Sequence, residues 1–325
     1  MLIKHLHITL KVLRKEHIKT ILVWLIYSFC IIESNSSYSQ NSYFSNKKTI
    51  NRLKTDIKTL SSRKMFGREA GTIGEIKARN YIVKRMIEIG IKSYGKEDFH
   101  QVFFIRDSII KSSYNVLGFL DNQSQKTILI CAHYDHLGYE INKRNRKIIY
   151  NGADDNASGV AALLELALFF KNNEYLEKNN FLFIAFSSEE KGMLGSKYFM
   201  QNPIIDTSKM NFVVNIDMIG RMEKDMPLTI EGLGSSKVLF DYFKMLDFDK
   251  FNLRLKKRIN GPSDHSSFTE KFIPALHFWT GKHNDYHKFS DDPHKISYKR
   301  ELKIILFLEK VLMELDLLDK VKFTK

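Results

Sequence analysis

The sequence predicts an α/β fold in three layers, with a mostly parallel central sheet between helices. The first observation is a set of short, mostly apolar runs that read as buried strands, at residues 127–132, 181–187 and 211–216. The second is that segments with apolar residues at helical spacing separate or flank these runs. Strands that alternate with helices are typical of a parallel sheet covered on both faces.

The first half of the chain supplies helices and strands in alternation. Residues 46–60 place Ile50, Leu53, Ile57 and Leu60 at helical spacing. A second amphipathic helix is predicted over 75–89, since Gly90 is a typical helix stop. Strands are predicted at 101–110, 113–120 and 127–132, and a helix at 160–170.

The second half continues the alternation. A strand over 181–187 leads into a helix after Gly192, further strands are predicted at 211–216 and 272–279, and a closing helix at 302–318. No repeat and no Pro/Gly linker interrupts this pattern. We therefore predict a single domain over residues 46–325.

The N-terminus has the features of an export signal. Residues 1–19 carry five basic residues against the single acid Glu16, and residues 21–32 are almost wholly apolar but too short to span a membrane comfortably. Ser37-Tyr38-Ser39 offers a cleavage site. We predict that residues 1–39 are a signal peptide or an N-terminal anchor, and that the protein is periplasmic, on the cell surface or extracellular.

Composition bounds the possible partners. Lys and Arg number 51 against 37 Asp and Glu, a net charge of +14, but no basic run is interleaved with aromatic residues as in single-strand nucleic-acid binders. The excess is therefore interpreted as solvated surface charge. Cys30 lies in the expected signal, so Cys131 is predicted to be a lone, small buried hydrophobe. We expect a monomer that binds no nucleic acid and no membrane beyond a possible N-terminal anchor.

Potential metal ligands follow three of the buried strands. His133 and Asp135 follow the first, Glu189 and Glu190 the second, and Asp217 the third. Asp154 and Asp155 start a helix, and residues 284–291 form a further polar cluster. Because the carboxyl ends of parallel strands meet at one edge, these groups are expected to converge. Imidazole and carboxylate with few thiols suit a zinc-type ion.

Each motif alone has an ordinary structural explanation: a packed histidine, a helix cap, a solvated pair of glutamates. Together they would bury several charges side by side, which divalent cations would offset. Five or six ligands exceed one tetrahedral ion and suggest two ions that share a carboxylate. Such a pair can hold a bridging hydroxide and polarise a carbonyl, while a carboxylate outside the ligand set acts as general base.

Six motifs carry a family resemblance. AHYDHLG, NGADDNASGVAALLELA, FIAFSSEEKGMLGS, VVNIDMIGR, PSDHSSF and YHKFSDD, in this order between about Gly67 and His294, resemble the signatures of the M28 family of zinc aminopeptidases. The resemblance implies two zinc ions and a zinc-exopeptidase fold. It also implies a cis peptide between Asp155 and Asn156.

The resemblance implies a role for each residue that matches a motif. The zinc ligands would be His133 and Asp217 for one ion, Glu190 and His287 for the other, and Asp155 as the bridge. Glu189 would be the general base and Tyr286 a donor to the developing oxyanion. Asp135 would orient the ring of His133, while Asp264 and His265 would lie by the pocket. His136 is expected to pack in the loop, and Asp154 to cap a helix or support the ligands.

Three functions are compatible with these residues. The leading one is a secreted two-zinc aminopeptidase that hydrolyses N-terminal residues from peptides or proteins. The second is a single-zinc glutaminyl cyclase of related fold, and the third an inactive peptide-binding protein. The basic residues at 254–258 could favour acidic peptides or simply be solvated.

Overall fold

We describe a computed structural model of the chain, which covers residues 45–94, 98–106, 109–246 and 252–324. The chain divides into two units, Met1–Thr49 and Ile50–Lys325. The expected signal segment belongs to the first unit and lies outside the described residues. Among the residues that the structure does describe, no helix combines the length and apolar character that crossing a membrane requires.

The helices follow the predicted order. Their bounds are α1 (Asn46–Leu60), α2 (Ile73–Ile89), α3 (Gly159–Asn172), α4 (Leu194–Gln201), α5 (Lys237–Met245), α6 (His265–Thr269) and α7 (Tyr298–Asp316). Thr72 caps α2 by accepting a hydrogen bond from the Gly74 N–H, and Gly90 ends it in a left-handed conformation.

The strands form one large sheet and one small hairpin. Their bounds are β1 (Lys92–Ser93), β2 (His100–Arg106), β3 (Ile110–Leu120), β4 (Thr127–His133), β5 (Tyr139–Ile141), β6 (Lys147–Ile149), β7 (Asn180–Phe186), β8 (Met210–Ile216), β9 (Leu228–Glu231), β10 (Leu253–Leu255) and β11 (Ala275–Trp279). The large sheet has the order β1-β3-β7-β4-β8-β11-β9-β10, with β2 paired to β3, while β5 and β6 pair with each other.

The predicted parallel sheet is confirmed at its centre. Strands β7, β4, β8 and β11 run parallel, and β3 and β9 join this core antiparallel on either side. Every residue of β4, β7 and β8 is buried, which explains why these strands read as continuous apolar runs.

Helices cover both faces of the sheet. Phe181 of β7 stacks on Phe170 of α3, with ring centroids 4.2 Å apart. Phe186, an odd number of residues further along the same strand, contacts Phe199 of α4 and Phe268 of α6. Because successive side chains of a strand point to opposite faces, α3 and the α4–α6 pair lie on opposite sides. The three-layer α/β/α architecture is confirmed.

The register brings the candidate ligands to one edge of the sheet. His133 of β4 pairs with Phe186 of β7, and Cys131 of β4 pairs with Asn215 of β8. The residues that follow β4, β7 and β8 therefore emerge side by side. This edge carries the predicted chemistry.

A buried carboxylate fastens α2 to this edge. Glu75, which is fully buried, accepts hydrogen bonds from Ser113 of β3 at 2.6 Å and from Ser187, just after β7, at 2.7 Å. The hydroxyl of Tyr134, the neighbour of His133, lies 3.2 Å from the same Glu75 oxygen. The donors offset the cost of burying the carboxylate.

Some predicted boundaries were wrong. The strand expected at 272–279 begins only at Ala275, because Phe272 has a positive φ of 59° and Pro274 has no N–H to donate to the sheet. Strands β9 and β10, which extend the sheet, and helix α5 between them were not predicted from the sequence. Cys131 is a buried free cysteine, as predicted.

We expect Glu309→Gln to stabilise the protein at alkaline pH. Burial, reinforced by the charge of Glu165, raises the pKa of Glu309 in α7 to about 8, against the attraction of Arg52. The folded chain therefore holds a proton that the unfolded chain loses above its ordinary pKa near 4.5, so this residue's contribution to stability declines as pH rises through 8.

Urea unfolding checks this expectation. The unfolding free energy of Glu309→Gln should exceed the wild-type value by about 1–3 kcal/mol at pH 8.5, and the gain should vanish near pH 4. The exposed Glu270→Gln provides the matched control. An equal gain at both pH values would contradict the prediction.

Candidate metal centre

His133, the last residue of β4, is the first candidate ligand, and the backbone fixes the orientation of its ring. The Nδ1 of His133 lies 3.3 Å from the backbone carbonyl oxygen of Asp135, which can only accept, so this nitrogen carries the proton. The Nε2 atom faces the carboxylates of Asp155 and Asp217, where a bound cation would take the place of a proton. This arrangement suits a metal ligand.

The bridging candidate lies in an irregular turn at the start of α3. A cis peptide joins Asp155 to Asn156, as the family resemblance implied. The Asn156 side chain donates to the carbonyl of Ile216 at 3.0 Å and accepts from the N–H groups of Gly159 and Met218 at 2.9 and 3.1 Å. These bonds tie the turn to the end of β8.

The first ligand group consists of His133, Asp155 and Asp217. The Nε2 of His133 lies 3.3 Å from an Asp217 oxygen and 3.4 Å from the Oδ1 of Asp155. Ligand atoms of the three residues all lie within 4.8 Å of one another. Ser263 supports the group by donating to the other Asp217 oxygen at 2.9 Å.

The second group uses the other oxygen of Asp155. The Nε2 of His287 lies 3.2 Å from the Oδ2 of Asp155 and 3.1 Å from the Oε2 of Glu190. His136, Asp155 and Glu190 also offer atoms within 4.8 Å of one another. Asp155 thus faces one histidine with each carboxylate oxygen.

His136 lies closer to the candidate ligands than the sequence predicted. It is fully buried, and its Nδ1 lies 2.8 Å from the Oε1 of Glu190, so it belongs to the second group rather than merely packing in the loop. Its Nε2 is buried without a hydrogen-bond partner. The available signal was its position three residues after His133, on the same strand-end segment.

The field of the carboxylates raises the proton affinity of the histidines. Burial alone would lower the pKa of His133, but Asp217 and Glu189 raise it well above its usual value. Hydrogen-bonding contact with Asp155 and Glu190 raises the pKa of His287 to about 10. The cluster therefore favours positive charge at the positions where cations would bind.

The residues of both groups fit zinc. Imidazole nitrogens and carboxylate oxygens are its usual ligands at catalytic sites, and the described histidine and carboxylate atoms converge in both groups. A divalent cation in each group would offset the electrostatic repulsion among the carboxylates of Asp155, Glu190 and Asp217.

The Asp135 carboxylate contacts the backbone of the two glutamates. It accepts the backbone N–H groups of Glu189 at 3.0 Å and Glu190 at 3.3 Å, whereas it lies 3.8 Å from the His133 ring nitrogen. The nearer partner of that nitrogen is the Asp135 backbone carbonyl. The carboxylate thus holds the glutamate pair in place, and its expected role in orienting the His133 ring stays a prediction.

Glu189 lies beside both groups without belonging to either. Burial raises its pKa well above the ordinary range, against the attraction of His133, and the nearby Asp264 and Asp217 add to the rise. A raised pKa is the adjustment that a carboxylate needs to exchange a proton near neutral pH.

A braced loop presents Tyr286 and His287. The carboxylate of Asp285 accepts from Arg221 at 3.0 Å, Ser290 at 2.7 Å and Lys295 at 2.7 Å. The Tyr286 ring stacks on His287 with centroids 3.8 Å apart. Burial and the charges of Asp155 and Glu190 raise the pKa of Tyr286, so its hydroxyl stays protonated and able to donate.

The expected pocket residues Asp264 and His265 are fully buried at the start of α6. Burial raises the pKa of Asp264 to about 6, against the attraction of His133. The ring of His265 stacks on His277 with centroids 4.7 Å apart and belongs to neither ligand group. Asp154 acts as a support, because one of its oxygens accepts from the Gly220 N–H at 2.6 Å.

Comparison with known proteins agrees with this arrangement. The chain is 28% identical over 237 residues to aminopeptidase YwaD of Bacillus subtilis (strain 168), an alignment that covers 65% of this chain but only 48% of that protein. The chain thus spans about half the length of this relative.

Two solved structures from Bacteroides thetaiotaomicron share the fold. A leucine aminopeptidase precursor superposes with a TM-score of 0.65 at 18% identity, covering 81% of this chain and 96% of that one. A glutaminyl cyclase bound to N-acetylhistamine superposes with a TM-score of 0.63 at 18% identity, covering 81% and 97%.

The model of peptidase family M28 matches residues 115–309, a span that includes every residue of both ligand groups. The six motifs, the parallel sheet and the convergent histidines and carboxylates are consistent with that match. The chain belongs to peptidase family M28.

Proposed function

We propose that this protein is a two-zinc aminopeptidase that removes N-terminal residues from peptides or proteins. His133 and Asp217 would hold one ion, Glu190 and His287 the other, and Asp155 would bridge them. The observation that carries the proposal is the bridging geometry. One Asp155 oxygen lies 3.4 Å from His133 and the other 3.2 Å from His287.

The zinc ions would polarise the substrate carbonyl and lower the pKa of a water molecule. Glu189 takes a proton from the attacking water as the new C–O bond forms at the scissile carbonyl. It then returns the proton to the leaving nitrogen as the C–N bond breaks. The protonated hydroxyl of Tyr286 donates to the oxygen on which negative charge develops.

We also propose that the protein is exported and acts as a monomer. The basic start of the chain and the short apolar run at residues 21–32 support export. Peptide N-termini presented outside the cytoplasm would then be the substrates. N-terminal sequencing of the exported protein would test whether residues 1–39 are removed.

The amine requirement defines the reaction. A peptide with a free N-terminus should be cleaved one residue at a time, and the same peptide with an acetylated N-terminus should not, with mass spectrometry of the products as the measurement. Cleavage of the acetylated peptide would exclude an aminopeptidase. Cyclisation of N-terminal glutamine without cleavage, with saturation at one zinc ion, would favour the glutaminyl cyclase alternative.

Glu189→Gln should reduce kcat by about 10²–10⁴-fold, because the amide cannot carry the proton from water to the leaving nitrogen. Zinc content, measured by plasma mass spectrometry, should equal that of the wild type, since Glu189 lies outside both ligand groups. Glu174→Gln, at an exposed position, is the control. Unchanged kcat would exclude Glu189 as the base.

His136→Ala should weaken one of two zinc-binding steps by about 10–100-fold and leave the other unchanged. The reason is that Glu190 loses the imidazole 2.8 Å from its Oε1 and is no longer oriented. Competition titration with a chelator measures both steps, and His294→Ala is the control. Two unchanged affinities would make His136 a packing residue, as the sequence analysis expected.

A further inference from the structure

Arg68 is a fully buried arginine. Its side chain lies between the strand end that carries His133 and the turn that carries Asp155. It is far from the ligands in sequence and belongs to none of the strands of the sheet. The proposed reaction leaves it without a role. Its five N–H groups are nevertheless all engaged.

Every hydrogen bond of the Arg68 side chain goes to a backbone carbonyl. Nε donates to Tyr134 at 2.8 Å, and Nη1 donates to Leu60 at 2.8 Å and to Asn151 at 2.7 Å. Nη2 donates to Gly152 at 2.9 Å and to Asp155 at 3.3 Å.

Three of these carbonyls belong to the two segments that carry His133 and Asp155. Tyr134 lies between His133 and Asp135 on the strand end, whereas Gly152 and Asp155 belong to the turn with the bridging carboxylate. One planar guanidinium therefore fixes the spacing between the two segments. The spacing matters because His133 must meet Asp155 at ligand distance.

The surrounding backbone is shaped to admit the guanidinium. Arg68 has a positive φ of 53°, and its carbonyl accepts the N–H of His136 at 3.3 Å. A Cβ on Gly152 would lie 2.7 Å from the Nη2 of Arg68 and 2.3 Å from the Asp155 carbonyl oxygen. A side chain at position 152 would force these groups apart.

The charge of Arg68 is balanced at longer range. No carboxylate of the described residues forms an ion pair with it within 4.0 Å, although the carboxylates of Asp155, Asp135 and Asp291 act on it electrostatically. Burial lowers the pKa of Arg68 to about 10, so the side chain stays a cation at neutral pH. It can therefore offset part of the negative charge behind the ligands.

We propose that Arg68 is a positioning residue for the metal pair, holding the strand end of His133 and the turn of Asp155 at the separation that two ions require. The inference rests on the proposed two-zinc function. Its geometric core is the fork of five N–H groups, which a lysine cannot reproduce.

The experiment compares zinc binding by the full chain and its variants. Arg68→Lys keeps the charge and loses the fork, while Arg68→Gln loses both and is the second variant should the first be poorly soluble. Arg85→Lys is the matched control, because Arg85 forms a buried pair with Asp56 at 2.8 Å between α1 and α2, outside both ligand groups. Folding is checked by circular dichroism, and both zinc affinities by chelator competition.

We expect Arg68→Lys and Arg68→Gln to fold and to bind zinc about 10–100-fold more weakly, with kcat reduced and KM little changed. Arg85→Lys should lower thermal stability without changing zinc affinity. Wild-type affinity in Arg68→Lys would overturn the inference, since charge alone would then suffice. Failure of both Arg68 variants to fold with zinc present would also overturn it, because Arg68 would then serve the fold.

The same titration separates this inference from the proposed function. A wild-type chain that binds fewer than two zinc ions contradicts the two-zinc function whatever the variants do. A wild-type chain that binds two ions, together with Arg68 variants of unchanged affinity, contradicts only the role of Arg68.

Discussion

The convergence of Asp155, Glu190 and Asp217 at one edge of the sheet is the constraint on which the rest of the site depends. Each carboxylate has little or no exposure, and like charges held this close repel strongly in a medium less polar than water. Positively charged or protonatable side chains surround these carboxylates. They are the histidines of both ligand groups and Arg68 behind the Asp155 turn. Two divalent ions would complete that balance.

The fold provides the rigidity that such an arrangement needs. Three of the candidate ligands, His133, Glu190 and Asp217, lie at or just beyond the ends of β4, β7 and β8, which are hydrogen-bonded neighbours with every residue buried. The segments beyond the strands are tied to one another, since Asp135 holds the backbone of Glu189 and Glu190, and Asn156 binds the end of β8. Ligands from separate segments thus meet only when the sheet has assembled, so metal binding would favour the folded chain.

Features that depend on a local residue pattern could be predicted from the sequence, whereas features that depend on contacts between distant residues could not. Strands buried on both faces are mostly apolar, so β4, β7 and β8 were predictable from their short apolar runs. Strands β9 and β10 are four and three residues long, too short for a pattern to develop, and only pairing with neighbours defines them. The role of His136 depended on the distance to Glu190, which lies 54 positions away and which no local pattern encodes. The carbonyl contacts of Arg68 were hidden for the same reason.

The two ligand groups differ in their access to solvent, and this difference orients the site. The side chain of His133 is 2% exposed, whereas that of His287 is 36% exposed and stands on a loop braced by Asp285. The ion held by His287 and Glu190 would therefore lie on the open side, where a peptide arrives, and the ion held by His133 would lie beneath it. Tyr286 stacks on His287 and belongs to the same loop. Because Asp155 faces a histidine of each group with its two oxygens, a bridging role in the proposed function would allow an exposed and an enclosed ligand group to act on one reaction centre.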